Sequence, residues 1–189
     1  METNQNSAGA RLPLIRMTRI AVMAALLCVA APWSVPIGPI PISLATLAVY
    51  FIGAVLGAVD GTIAVAVYLL LGAVGVPVFS GFEGGVQKLI GVTGGYLIGY
   101  LPCVAATGLA ADRFPKRWMV VIGMILGTVL LYAFGTAWFM LQTHRTLTES
   151  MTLCVIPFLP GDAAKIAAAA LVGIPLRMQM EKWLGKAKR

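Results

Sequence analysis

Asp162 and Lys165 stand three residues apart in the run PGDAAKIAAAALVGIP, where almost every other residue is small or apolar. On a helix this spacing puts both on one face. Together they offer a ligand a charged acceptor beside a donor with three protons. A charge at mid-bilayer costs about 2.5–3.5 kcal/mol on insertion scales, so an ionisable pair in such a setting is read first as a binding feature. The competing explanation is a helix cap, because Asp162 follows Pro160-Gly161 and Lys165 could neutralise it. Capping accounts for the aspartate but not for a lysine one turn deeper.

Other chemistry-bearing patterns are sparse. Residues 75–96, GVPVFSGFEGGVQKLIGVTGGY, combine glycines that permit tight turns with aromatics that can close over a flat ligand. The segment is no phosphate cradle: no GxxxxGK[ST] occurs, and Gly185-Lys186 is followed by Ala187, so ATP hydrolysis is not expected of this chain. Cys28, Cys103 and Cys154 lie far apart in apolar surroundings, and a single histidine, His144, cannot complete a zinc set. They read as packing residues, and no metal or cofactor is expected.

The elements that position the pair follow from composition. Of 189 residues, 59% are hydrophobic and 11% charged, where a soluble domain carries about 25% charged residues. The expectation is an all-α integral membrane protein. Residues 20–59 hold no formal charge and are long enough for two spans of about 20 residues, divided by Pro32, Pro36, Pro39 and Pro41. A tight turn over 57–61 leads into the third span. Residues 75–91 form a structured loop, and 142–150 a polar one. The spans fall at about 14–31, 43–58, 61–74, 93–111, 118–141 and 161–183, making one membrane domain over 1–189.

Arg11, Arg16 and Arg19 lie before or at the start of the first span; Arg113, Lys116 and Arg117 lie between the fourth and fifth. Arg177, Lys182, Lys186, Lys188 and Arg189 end the chain. With six spans these clusters share one side, Lys88 and Arg145 fall on the other, and the positive-inside rule puts both termini in the cytoplasm. The net charge of +7 therefore reports topology and contact with anionic lipid, not nucleic-acid binding. The start of the chain also resembles a signal peptide, but removing it would leave five spans and split the basic clusters between sides. It is read as a retained helix.

Small residues recur at four-residue spacing in Ala21/Ala25, Gly53/Gly57/Gly61, Gly91/Gly95/Gly99 and Gly123/Gly127. Such stripes let helices approach closely, and most are expected to serve internal packing. Ala21 and Ala25 are set apart, since they lie just inside the first arginines where a partner can reach them.

GVPVFSGFEGG at 75–85, GVTGGYLIGY at 91–100 and PFLPGDAAK at 157–165 resemble the BioY family, the biotin-specific substrate-binding subunits of energy-coupling factor transporters. The resemblance covers nearly the whole chain; Val92 departs from the usual Gly-Pro-Thr-Gly-Gly. It implies a high-affinity biotin binder of the cytoplasmic membrane that joins a transmembrane coupling subunit and two ATPase subunits. It maps biotin contacts onto Asp162 and Lys165, and the coupling-subunit surface onto Ala21 and Ala25. Phe79 and Tyr96 are candidate apolar contacts for the ring system. Glu83, Gln87 and Lys88 receive no role from the family.

Three alternatives compete. An intramembrane hydrolase lacks a visible nucleophile and base. An assembly subunit without ligand leaves the Asp162/Lys165 pair unexplained. A binder of another vitamin is disfavoured by the motif segments alone. The topology has its own check: cysteines introduced at 113–117 and in the C-terminal tail should react only from the cytoplasmic side, and those at 142–150 only from outside. Termini on opposite sides would end the six-span reading.

Overall fold

The computed structural model describes residues 3–36, 40–114 and 116–187, with side chains from 14 to 183. Ile37, Gly38, Pro39 and Pro115, and the side chains of Arg11, Lys186, Lys188 and Arg189, lie outside the described residues. The first helix, α1, runs over Thr3–Ala30 and stops before Pro32. A short antiparallel ribbon follows, β1 (Ser34–Val35) with β2 (Ile42–Ser43), pairing Ser34 with Ser43 and Val35 with Ile42. The fold is mostly helical, as expected, and this ribbon of two residue pairs is an addition to it, since prolines that forbid helix still permit extended backbone.

Helix α2 spans Ala45–Leu56 and α3 Ala58–Ala73. The turn expected over 57–61 shrinks to Gly57, whose φ of +82° is open to glycine at little cost. The helix can restart at once because the Asp112 carboxylate accepts the Ala58 N–H at 2.8 Å. One of the amides left unpaired at a helix start is thereby satisfied. The loop over 75–91 contains a short helix, α4 (Val86–Ile90). Gly91 follows α4 and so does not share the stripe of Gly95 and Gly99.

Helices α5 (Gly94–Arg113), α6 (Arg117–Thr143) and α8 (Leu159–Ala187) outrun their expected apolar segments. Apolarity marks the length that avoids water, whereas helical hydrogen bonding continues into charged ends. Pro160 lies in the first turn of α8, where its missing N–H breaks no helical bond, so the helix begins ahead of residue 161. The polar loop expected over 142–150 is overturned in its second half by α7 (Leu147–Cys154). Its start is fixed by a reciprocal capping box between Thr146 and Glu149.

By length and apolarity, three helices among the described residues can cross a bilayer: Gly94–Arg113, Arg117–Thr143 and Leu159–Trp183. Helices α2 and α3 are shorter and apolar. Leu70, Val129 and Leu171 stand on outward faces, with Leu171 75% exposed, which suits surroundings of lipid. The most extensive helix pair is α5 with α6. A methyl group added at Gly127 would sit 2.7 Å from the Cys103 carbonyl oxygen, and one at Gly99 2.9 Å from Leu131. These glycines bring two backbones together inside the bundle. Helix α2 lies against α5, α8 and α3, and α1 packs on α3 and α2.

Gly108 is the most constrained of these contacts, because a methyl there would press on backbone atoms of Gly57 and Ala58, including Ala58 Cα at 2.5 Å. Gly108→Ala should cost about 1–3 kcal/mol by overpacking. At about 2–4 °C per kcal/mol for a chain of this size, thermal unfolding in detergent should fall by several degrees. Gly161→Ala, with nothing within 4 Å, should hold or raise the midpoint. Equal midpoints for the two variants would contradict this packing.

Candidate functional site

The first turn of α8 delivers Asp162 into the bundle at 3% exposure. Its Oδ1 accepts hydrogen bonds from Lys165 Nζ at 3.0 Å and from the Thr46 hydroxyl at 3.2 Å. Its Oδ2 accepts the Tyr132 hydroxyl at 2.6 Å. Lys165 Nζ also donates to Thr46 Oγ1 at 2.9 Å. Side chains from α2, α6 and α8 thus meet on one carboxylate. The capping explanation fails on this geometry, because α8 begins at Leu159 and the Asp162 oxygens bond to side chains of three residues.

The cluster forms one end of a cavity of about 40 Å³ whose other walls include Tyr96, Tyr100, Leu131, Phe158 and the loop residues Ile40 and Pro41. A neighbouring cavity of about 30 Å³ shares Ile40, Pro41, Ser43, Tyr96 and Tyr100 and is completed by Phe79, Ser80, Lys88, Thr93 and Leu97. The two form a chamber with an acid–base end and a Lys88 end, separated by aromatic walls. Their volumes are far below the roughly 300–1,000 Å³ of sites for drug-sized ligands. A ligand of that class fits only when wall segments move outward, and the walls outside helices include Ile40-Pro41 and Phe79-Ser80.

Of the residues singled out in the sequence, Asp162 and Lys165 are in direct contact. Tyr96 walls both cavities with its ring against Gly135, while its hydroxyl lies 3.3 Å from both Thr136 Oγ1 and the Cys154 carbonyl. Phe79 lines the Lys88 end alone and is fully buried, edge-to-face on Tyr68 with centroids 5.5 Å apart. Thr46, Tyr132, Tyr100 and Ser43 were missed. A signal for them exists: Ser43, Thr46 and Tyr50, and then Thr128, Tyr132 and Thr136, recur at helical spacing within apolar spans. Tyr50 and Thr128 meet at 2.6 Å and join the two stripes.

Ala21 and Ala25 are exposed on α1, while Ala24 and Leu27 are buried against the bundle. The arginines nearer the start of α1 pair with an acid on α3. Arg16 Nε donates to Asp60 Oδ1 at 2.7 Å, and an Arg19 nitrogen lies 3.5 Å from Asp60 Oδ2, tying α1 to α3. Arg177 donates to Asp112 at 2.9 Å, tying α8 to α5. Among the described residues, no three His, Cys, Asp or Glu side chains gather in a metal-binding group.

The profile of the BioY family matches residues 2–182. The biotin transporter BioY of Thermotoga maritima is 36% identical over 163 residues, covering 86% of this chain and 95% of that protein. The probable biotin transporter BioY of Pyrococcus horikoshii is 34% identical over 153 residues, covering 81% and 90%. A crystal structure of the S-component for biotin from an ECF-type ABC transporter superposes with a TM-score of 0.80 at 28% identity, over 94% of this chain and 95% of the other.

Proposed function

The chain belongs to the BioY family, and from that premise we propose that it is the biotin-binding S-component of an energy-coupling factor transporter. The observation that carries this reading is the buried Thr46–Asp162–Lys165–Tyr132 cluster facing the chamber. Biotin's ureido group has two N–H donors and one carbonyl acceptor. Asp162 accepts a ureido N–H. Lys165 spends two of its three protons on Asp162 and Thr46, and the third serves the ureido carbonyl. Thr46 and Tyr132 hold the carboxylate in place, and the Tyr96 and Leu131 side chains give the fused rings an apolar wall.

The protein crosses the cytoplasmic membrane six times with both termini inside. Helix α2, 12 residues and about 18 Å long, fits this scheme because much of it is buried against neighbouring helices. Non-helical backbone at its ends is tolerated at membrane depth where protein surrounds it. ATP hydrolysis belongs to two separate ATPase subunits, reached through a transmembrane coupling subunit that packs on Ala21 and Ala25.

Asp162→Asn removes a charge-assisted bond of about 1.5–3 kcal/mol, so biotin affinity should fall by roughly one to two decades in titration calorimetry. Lys165→Met should cost at least as much, because it also strips Asp162 of its cation. The double variant should cost less than the sum, since the two residues share one ligand and each other's field. Wild-type affinity in both single variants, with the fold intact, would reduce the pair to a structural role.

A bulky residue at Ala21 or Ala25 should block assembly with the coupling subunit while biotin binding stays near wild type. Copurification of the complex and ATP-driven uptake are the readouts. Their survival in both variants would remove this face from the interface.

A further inference from the structure

The two ends of the chamber differ in how firmly their cations are committed. Lys165 is 12% exposed and bonded to a carboxylate that is itself buried and triply bonded. A ligand carboxylate placed there would lie beside Asp162, and two like charges that close disfavour each other. At the other end Lys88 lines the cavity, and its ammonium bonds Glu83 at 2.6 Å. Glu83 is 58% exposed and sits on a tight turn in which the Phe79 N–H donates to the Glu83 carbonyl at 2.9 Å. That turn sends the Phe79 ring inward and leaves the Glu83 carboxylate in water, so its pairing with Lys88 is weak and easily exchanged. Thr93, at the start of the 20-residue helix α5, lines the same end, where the helix dipole also favours negative charge.

We propose that Lys88 recognises the carboxylate of the ligand's tail and that this carboxylate displaces Glu83 from the lysine. The assignment rests on the biotin-binding reading and extends it, giving the ureido group to one end of the chamber and the acid to the other. Lys88 then sets the preference for a free acid over a neutral derivative.

The test compares biotin with biotinamide, in which a neutral amide replaces the carboxylate, by calorimetry on the detergent-purified full chain. Wild type should prefer biotin by about ten- to a hundredfold. Lys88→Met should lower biotin affinity by about tenfold or more and change biotinamide by less than about threefold, which also shows that the loop is folded. Lys88→Arg keeps the charge and should keep most of the preference. Glu83→Gln removes the competitor and should raise biotin affinity by up to about fivefold. The proposal is overturned if Lys88→Met keeps the wild-type preference, if it weakens both ligands equally, or if Glu83→Gln weakens biotin as much as Lys88→Met does. Wild type that binds both ligands equally well would sink this assignment alone, whereas wild type that binds neither would sink the biotin reading beneath it.

Discussion

A carboxylate buried in an apolar bundle has to be bonded on both oxygens, because stranding it without partners costs several kcal/mol. Asp162 meets that demand by drawing Thr46 from α2 and Tyr132 from α6 to the first turn of α8. The requirement fixes three helices relative to one another with bonds that have direction, where apolar contacts alone would let them slide. It also leaves a precise residue of unused capacity, namely one proton on Lys165 and lone pairs on the surrounding oxygens. Helix placement and this unused hydrogen-bonding capacity therefore come from the same four side chains.

The opposite end of the bundle is held by a separate set of ions. Asp60 fastens α3 to α1 through Arg16 and Arg19, and Asp112 caps α3 while holding Arg177 of α8. Helix α8 is thus anchored near both ends, by Asp162 at one and Arg177 at the other, and most of its length between them is alanine and other small or apolar residues. Charges that the positive-inside rule treats as topological markers also act as fasteners, a second use that a count of lysines and arginines does not reveal.

The helices were legible because apolar runs, prolines and charges mark them directly, and the Asp162/Lys165 pair because charge is rare in such a chain. What escaped notice follows a pattern. The capping box of Thr146 and Glu149 lies in a polar stretch, where apolar periodicity gives no warning of α7. The β1–β2 ribbon depends on pairing between segments that are not adjacent in the sequence, and prolines announce only that no helix forms there. Thr46 and Tyr132 escaped because a hydroxyl in a span carries no charge and often bonds its own helix, as Thr107 does with the Cys103 carbonyl. Only their helical spacing beside Ser43, Tyr50, Thr128 and Thr136 distinguishes them. The sequence pairs Phe79 with Tyr96 as an apolar contact; its ring fills the space over Gly72 and meets the chamber at the Lys88 end.

The chamber lies on the boundary between a stiff side and a softer one. Gly95, Gly99, Gly127 and Gly135 let α5 and α6 touch along their faces, so Tyr96, Tyr100, Leu131 and Tyr132 project from a wall with little room to shift. The facing wall is loop. It is stitched to itself by the Gly81 N–H donating to the Pro32 carbonyl at 3.0 Å and by Trp33 against Phe82 at 5.9 Å, edge to face. These contacts tie the segment after α1 to the segment after α3, whose far end is held to α6 by the Trp138 indole N–H on the Gly91 carbonyl at 3.0 Å and the Gln142 amide on the Ile90 carbonyl at 2.9 Å. Space for a bicyclic ligand has to come from that side. Asp162, Lys165, Thr46 and Tyr132 stay on the helices, where the spacing between acceptor and donor is kept while the loops give way.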